Sequence, residues 1–457
     1  MQKYGLDFTE TYASVARIDT IRLFLWYANQ YDLDIFHIDV GNAYLQADLE
    51  EGVSIYMEQP EGYNSPSTTE DLVCLLQKPL YGLRQAGNRW AVKRDSVLLS
   101  IGFKKSLLEP SLYFRKSFYA NSQSIVILVQ VDDFLLIGSA EDCQTTVSRI
   151  STQVDITCDT SAKWFIGLKI SRNRESGELS LSQKTIIEDL IFNYNLKESR
   201  PVKVPFSYEL KRVMQVKPSG DAQISNVPYR NLIGSLMYIA RMTRPDILYH
   251  TQFLSKFNDR HTAVHWKAAL STVKYLKSTK KLKVTYSRIE SSKNDCILKF
   301  ILGYCDTSHG DDLEDGLSTA GHVFIAGGGM LAIQVGKQDC PALSSTEDEY
   351  LSYTPCSQHA TWIRNVFLET QVIADESDCC PILISTEGKS AYQSAMKEST
   401  AFPKTKHIAL KYHFIRKLIS DKIVSLQWIP GTENPADLTT KPLGSILLAK
   451  HRSAMIR

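Results

Sequence analysis

The stretch Ser124–Gly138 constrains the fold more than any other part of the chain. A run of apolar and β-branched residues leads into the adjacent acids Asp132 and Asp133, and a second apolar run leads away to Gly138. Short apolar runs on both sides of a polar pair predict a buried β-hairpin with the acids at its tip. Neighbouring carboxylates repel each other and resist burial, and a bound divalent cation would relieve both costs. The alternative is an ordinary turn, because Asp is common in turns.

Composition narrows the class of protein. The chain has 457 residues, enough for several domains, and its apolar and charged fractions are those of ordinary globular proteins. The formal net charge is +2, so a nucleic-acid surface would have to come from local clusters. Nine cysteines without C-x-x-C spacing argue against a disulfide framework and a structural zinc site. The sequence predicts neither a signal peptide nor a membrane-spanning segment.

A further acid can join the first pair. The apolar strand at residues 35–38 ends at Asp39, and the aromatic Tyr44 follows five residues later. Three carboxylates suit Mg²⁺, because this hard ion prefers oxygen ligands. In a two-metal site one ion activates an attacking 3′-oxygen and the other stabilises the leaving pyrophosphate, with the ions about 3.5–4 Å apart.

Five segments then follow one another in a familiar order. They are residues 37–51 (beginning His-Ile-Asp-Val-Gly-Asn-Ala-Tyr), 53–63, 80–90 (beginning Leu-Tyr-Gly-Leu-Arg-Gln), 130–133 (Gln-Val-Asp-Asp) and 164–169. Together they resemble the reverse transcriptase of copia-type LTR retrotransposons. The resemblance implies an α+β right-hand polymerase palm with truncated fingers.

The same resemblance assigns roles to individual residues. It implies that Asp39, Asp132 and Asp133 are catalytic and hold two Mg²⁺ (or Mn²⁺) ions. Tyr44 would occupy the space of a ribose 2′-hydroxyl, the alternative being an ordinary core aromatic. The remaining nucleotide- and template-binding residues would be Gly82, Arg84, Gln85 and Gln130.

Two departures from the family bear on this region. Gln130 stands where the family has an aromatic that packs against the primer end. By the resemblance, we also expect the chain to begin inside the family domain and to lack the integrase, protease and capsid segments of the polyprotein. We therefore expect a fragment of a polyprotein that also serves DNA integration.

Basic residues are expected to neutralise backbone phosphates, unless they only form a solvated helix face. The first basic cluster comprises Lys78, Arg89, Lys93, Arg94, Lys104 and Lys105. A helix predicted at residues 262–280 offers a second basic ridge, for which a simple surface helix is the alternative.

The last third of the chain carries a second set of acids. Asp306 and Glu387 each follow an apolar strand, Glu349 opens a helix, and Asp437 lies near the end of the pattern. This order of strand, hairpin, helix and strand resembles the ribonuclease H domain of the same elements, an α/β fold. The resemblance implies that these four acids bind two Mg²⁺ or Mn²⁺ ions and activate water to cut the RNA of a hybrid. Taken alone, each acid is more often a cap or loop residue.

Three departures from the family weaken this second site. Ala409 replaces the acid that usually follows His407-Ile in the family. Glu387 stands where the family has Asp, and its longer side chain is expected to misplace a metal ligand. Pro355 falls inside the helix that carries Glu349, where a proline costs about 3 kcal/mol and is expected to kink the helix.

The predicted domains are a reverse transcriptase palm with partial fingers (1–173), a connection or thumb-like region (174–295), a ribonuclease H-like domain (296–445) and a tail (446–457). The combined function is an RNA-directed DNA polymerase, a nucleotidyltransferase, with ribonuclease H endonuclease activity. Its partners would be an RNA template, a DNA primer, RNA–DNA hybrid and deoxynucleoside triphosphates, with no membrane. The expected location is the cytoplasm, in virus-like particles, with a nuclear stage. The alternative is a catalytically inactive relic that only binds nucleic acid.

Overall fold

The computed structural model describes residues 2–63, 72–119, 123–215, 224, 226–292, 295–397 and 406–457. Its α-helices are α1 (Ile18–Gln30), α2 (Ala86–Ser100), α3 (Ala140–Ser151), α4 (Lys184–Asn193), α5 (Tyr208–Gln215), α6 (Tyr229–Met242), α7 (Leu248–Ser255), α8 (Ala263–Ser278), α9 (Ser345–Glu369), α10 (Lys389–Met396), α11 (Lys406–Ser420), α12 (Asp437–Thr440) and α13 (Ser445–Ser453).

Its strands are β1 (Asp34–Val40), β2 (Tyr56–Glu58), β3 (Val73–Leu75), β4 (Lys104–Lys105), β5 (Leu112–Arg115), β6 (Ile125–Gln130), β7 (Asp133–Gly138), β8 (Ile156–Asp159), β9 (Trp164–Phe165), β10 (Leu168–Asn173), β11 (Glu178–Ser182), β12 (Val284–Ser287), β13 (Leu302–Ser308), β14 (Thr319–Ala326), β15 (Gly329–Lys337), β16 (Ile382–Thr386) and β17 (Val424–Trp428).

The chain divides into two compact units. The first contains residues 1–17 and 33–166, and the second contains residues 18–32 and 167–457. The second unit thus includes the predicted connection, ribonuclease H-like domain and tail. The finer division into four parts stays a prediction.

A six-stranded antiparallel sheet, in the order β4-β5-β6-β7-β1-β8, forms the centre of the first unit. The residues from Ile125 to Val129 in β6 are completely buried, as are Leu135 to Ile137 in β7. Strands buried on both faces read as continuous apolar runs, which explains the pattern of the sequence. The predicted hairpin with acids at its tip is confirmed, because β6 and β7 pair antiparallel up to Gln130 and Asp133.

Helix α1, near the N-terminus, belongs to the second unit. All its residues from Thr20 to Gln30 are buried. Phe24 packs edge-on against Phe367, and Arg22 donates a 2.7 Å hydrogen bond to the carbonyl of Leu331. A helix that is buried on every side needs partners all round, which these late segments of the chain supply.

The mixed sheet of the second unit places two of the predicted acids side by side. Its strand order is β15-β14-β13-β16-β17. Strand β14 pairs antiparallel with both β13 and β15. Strand β16 pairs parallel with both β13 and β17. Since β13 and β16 are parallel neighbours, their carboxyl ends meet at one edge of the sheet. Asp306 and Glu387 lie at that edge. In the part of the chain that the structure describes, no helix is long and apolar enough to cross a membrane.

Buried histidines of the second unit predict a pH-dependent stability. Burial lowers the pKa of His250 to about 4 and that of His322 to about 3. The unfolded chain protonates both near pH 6.5, so below that pH the native state binds fewer protons and stability falls. We expect each histidine to reduce the free energy of unfolding by about 2 kcal/mol between pH 7 and pH 5. Thermal unfolding of the parent and of His250→Phe should show a shallower pH dependence in the variant. Equal slopes would contradict the assignment.

Candidate active sites

The first candidate site lies at the tip of the β6–β7 hairpin. Asp133 pairs directly with Asp39 of β1, and Asp132 occupies the turn between the strands. The turn requires a positive φ of 59° at Val131, which is unfavourable for a β-branched residue. The Trp90 indole N–H donates a 2.7 Å hydrogen bond to the Val131 carbonyl and fixes this turn. Backbone pairing therefore brings the three predicted acids to one place.

The pKa values of Asp132 and His37 are raised at this hairpin tip. Burial raises the pKa of Asp132, and the charges of Asp133 and Asp39 raise it further. His37 Nε2 lies 2.9 Å from Asp133 Oδ1, and this hydrogen bond raises the pKa of His37. Sequence reasoning did not single out His37. The available signal was its spacing: residues two apart on a strand point to the same face, so His37 lies on the same face of β1 as Asp39.

Tyr44, the predicted ribose gate, lies on a 3-10 helix at Ala43–Gln46 and contacts a second tyrosine. Its ring centroid is 4.4 Å from that of Tyr81. Partial desolvation raises the pKa of Tyr81, and the charges of Asp132 and Asp39 raise it further. Gly82 follows with a φ of 108°, a conformation that favours glycine. The tyrosine pair thus borders the acid tip, and Tyr81 was not predicted.

Arg84 and Gln85 contact the beginning of the chain. The Arg84 guanidinium lies 5.6 Å from the centre of the Phe8 ring, and its backbone N–H donates to Gln2. The buried Gln85 amide accepts a 2.9 Å hydrogen bond from Gln2 and donates one to the Asp7 carbonyl. Their predicted nucleotide and template contacts therefore stay predictions, as does that of Gln130, which ends β6 beside the turn.

One member of the first basic cluster has a different function. Arg94 is buried, with its guanidinium 2.8 Å from Asp95 Oδ1 and 3.1 Å from the Tyr113 hydroxyl. Lys105 pairs with the same Asp95 at 2.6 Å. The expectation that Arg94 lies on a phosphate-binding or solvated face is wrong, because it forms a buried ion pair instead.

The second candidate site lies at the edge of the mixed sheet. Carboxylate oxygens of Asp306, Glu387 and Asp437 all lie within 4.8 Å of one another. Glu349, in the first turns of α9, packs against Gly388, where an added Cβ would lie 2.9 Å from the Glu349 Cβ. The sheet edge, α9 and α12 thus bring together all four acids predicted for this domain.

This cluster has the properties of a cation site. Burial raises the pKa of Asp306 to about 6 and that of Glu349 to about 9, with the neighbouring acids adding to the effect on Glu349. Glu349 Oε2, Glu387 Oε2 and Asp306 Oδ1 are buried and accept no hydrogen bond. Buried anionic oxygens without partners favour a cation, and an oxygen-only donor set is the one that Mg²⁺ prefers. The residues therefore fit a divalent metal.

Lys441 is a member of this cluster that sequence reasoning missed. Its Nζ lies 2.8 Å from Asp437 Oδ1, 3.5 Å from Asp306 Oδ2 and 3.6 Å from Glu387 Oε1. The available signal was its position four residues after Asp437, which brings the two side chains together along a helix.

Known proteins similar to this chain are reverse transcriptases and retrotransposon polyproteins. The family model described as reverse transcriptase (RNA-dependent DNA polymerase) matches residues 1–208. The Retrovirus-related Pol polyprotein from transposon TNT 1-94 of Nicotiana tabacum is 34% identical over 444 residues, covering 96% of this chain and 32% of that protein. The corresponding polyprotein from transposon RE1 of Arabidopsis thaliana is 30% identical, covering 97% of this chain and 29% of that protein.

Over nearly its whole length the chain is similar to copia-type retrotransposon Pol polyproteins. It spans about a third of the length of these relatives. Among solved structures, a foamy viral protease–reverse transcriptase in complex with double-stranded DNA matches with a TM-score of 0.42 and 10% identity, covering 87% of this chain and 56% of that one.

Two of the three departures expected to weaken the ribonuclease H-like site, Pro355 and Glu387, have mild consequences in the structure. The side chain of Ala409 lies outside the part of the chain that the structure describes. Helix α9 continues through Pro355 to Glu369, and Glu349 remains close enough to Asp306 and Glu387 for their charges to raise its pKa. Glu387 lies within the carboxylate cluster despite its extra methylene. The expected displacement of Glu387 is therefore not observed, whereas Glu349 packs against Gly388 and is not one of the three carboxylates within 4.8 Å of one another.

Gly321 allows α12, which carries Asp437, to approach the sheet. It pairs with Asp306 across β13 and β14, and an added Cβ would lie 1.9 Å from Thr439 Oγ1 and 2.5 Å from Thr439 Cβ. We expect Gly321→Ala to lower the free energy of unfolding by about 2–3 kcal/mol, because α12 must move. Gly234→Ala in α6 is the control: its Cβ meets nothing within 4 Å, and alanine favours a helix by about 1 kcal/mol. Equal stabilities of the two variants in thermal unfolding would contradict the close approach.

Proposed function

We propose that the chain is an RNA-directed DNA polymerase that also cleaves the RNA strand of RNA–DNA hybrids. The observation that carries this proposal is the presence of two separate acid clusters, each on segments that resemble the matching part of a copia-type Pol polyprotein. Asp39, Asp132 and Asp133 lie at a hairpin tip in the region matched by the reverse transcriptase model. Asp306, Glu349, Glu387 and Asp437 lie together in the second unit.

Each cluster would hold two Mg²⁺ (or Mn²⁺) ions. When bound, such ions polarise the attacking and leaving oxygens of a phosphodiester. The chain's own residues position the ligands: Trp90 fixes the turn that presents Asp132, and Thr440 donates a hydrogen bond to Asp306. His37 holds Asp133 from the side.

The proposed substrates follow from this chemistry. The hairpin site would extend a DNA primer with deoxynucleoside triphosphates on an RNA template, with Tyr44 and Tyr81 beside the incoming sugar. The sheet-edge site would take the resulting RNA–DNA hybrid. For a Pol chain of this kind we propose a cytoplasmic location in virus-like particles, with a nuclear stage.

Two assays on the same chain test this function. Purified protein is incubated in Mg²⁺ with primed poly(rA) and deoxythymidine triphosphate, and separately with an RNA–DNA hybrid labelled on the RNA. We expect primer extension and hybrid cleavage, both abolished by EDTA. Binding of the duplex without either reaction would show that the chain is an inactive relic, as Gln130 in place of an aromatic residue suggests.

A further inference from the structure

We propose that Lys441 is a built-in counter-cation of the acid cluster at the sheet edge, and that a divalent metal must displace its ammonium group in order to bind. The inference rests on the proposed function only in taking this cluster as a metal site. It adds a residue that competes with the metal and keeps the acids together in the metal-free protein.

The position of the ammonium group carries the inference. Nζ lies within 3.6 Å of one oxygen from each of Asp306, Glu387 and Asp437. Those three carboxylates lie within 4.8 Å of one another, so a cation that contacts all three occupies the space between them. A metal using the same oxygens would need that space.

Electrostatics explains why a cation is present there. Four acids, Glu349 included, converge at a buried edge, and the mutual repulsion of their carboxylates would open the site. A single ammonium group offsets part of this repulsion.

The position of Lys441 in the chain allows its ammonium group to move out of the acid cluster. It follows directly after α12, and 34% of its side chain is exposed. A flexible four-carbon stem at the surface can swing into solvent without disturbing the helix that carries Asp437. An ammonium group and a divalent ion repel each other at such short distances. The Lys441 ammonium group and a bound metal therefore exclude one another from the cluster.

The inference predicts opposite effects of one substitution on two measurements. In Lys441→Gln the metal-free cluster loses its counter-cation, so the midpoint of thermal unfolding in EDTA should fall by several degrees. The same variant should bind Mn²⁺ about tenfold more tightly, because the metal no longer displaces a cation. A residue with a merely structural function would lower stability without tightening metal binding.

The experiment uses the full chain with Asp132→Asn in every variant, so that Mn²⁺ titration reports on the sheet-edge site. Mn²⁺ affinity is measured by calorimetry, and unfolding midpoints are measured in EDTA and in saturating Mn²⁺. Lys299→Gln is the matched control, since it removes one positive charge from a single exposed pair with Asp295. We expect the control to change neither quantity.

Lys441→Arg keeps the charge and provides a second test should Lys441→Gln fail to fold. It should retain the stability in EDTA and bind Mn²⁺ no more tightly than the parent.

Unchanged or weaker Mn²⁺ binding by Lys441→Gln, or tighter binding by Lys441→Arg, would overturn the inference. Absence of Mn²⁺ binding in the parent and in both variants would overturn it together with the metal site. Tight Mn²⁺ binding without hybrid cleavage would leave the inference standing and remove the proposed nuclease function.

Discussion

Asp132→Asn is expected to abolish primer extension, with a loss of at least about a thousandfold in rate. Removing one carboxylate ligand from a two-metal site forfeits several kcal/mol of transition-state stabilisation, and each 1.4 kcal/mol is worth a factor of ten. The fold should tolerate the change, because Asp132 lies in the turn and its burial already raises its pKa. Primer extension is measured in Mg²⁺ beside duplex affinity, which should stay equal or become slightly stronger as a negative charge disappears.

The control for this variant lies in the same hairpin. Trp90→Phe removes the indole N–H that holds the Val131 carbonyl, yet it leaves all three acids in place. A moderate loss of rate is expected, smaller than that of Asp132→Asn by orders of magnitude, because positioning is impaired while the ligands remain. Extension by Asp132→Asn at nearly the parental rate would remove the hairpin acids from catalysis.

Local sequence patterns were sufficient to predict the hairpin and the position of its two acids. Its strands are buried on both faces, so they appear as apolar runs, and the acids mark where the runs meet. The partner Asp39 was found because it ends an apolar strand. The register between β1 and β7 determines which side chains contact these acids. No local pattern reveals that register, so the contact between His37 and Asp133 could not be predicted.

Long-range packing accounts for what the sequence did not predict. Helix α1 was recognisable from its apolar spacing, but its assignment to the second unit depends on contacts such as Phe24 with Phe367. Pro355 has a real local cost, yet the buried neighbours Leu351, Tyr353 and Cys356 keep α9 helical through it. Helical stability in proteins comes mainly from such packing, which outweighs single-residue propensity.

Asp306→Asn is expected to abolish hybrid cleavage, again by at least about a thousandfold, while primer extension stays at the parental rate. Asp306 is fully buried in the C-terminal half of β13 and contributes one of three carboxylates within 4.8 Å of one another. An amide keeps its shape and can still accept the Thr440 hydrogen bond, so the loss would come from the missing charge. Hybrid cleavage and primer extension are measured on the same preparation in Mg²⁺.

Comparison with Asp132→Asn shows whether the effect of Asp306→Asn is specific to hybrid cleavage. The two variants should show opposite losses, one of polymerisation and the other of cleavage, because their acids lie in different units of the chain. Asp306→Asn should also leave the free energy of unfolding unchanged or raise it, since burial raises the pKa of Asp306 to about 6 and its carboxylate is destabilised at neutral pH. Loss of both activities together would indicate a general folding defect, and retention of cleavage would exclude the sheet-edge acids as the nuclease site.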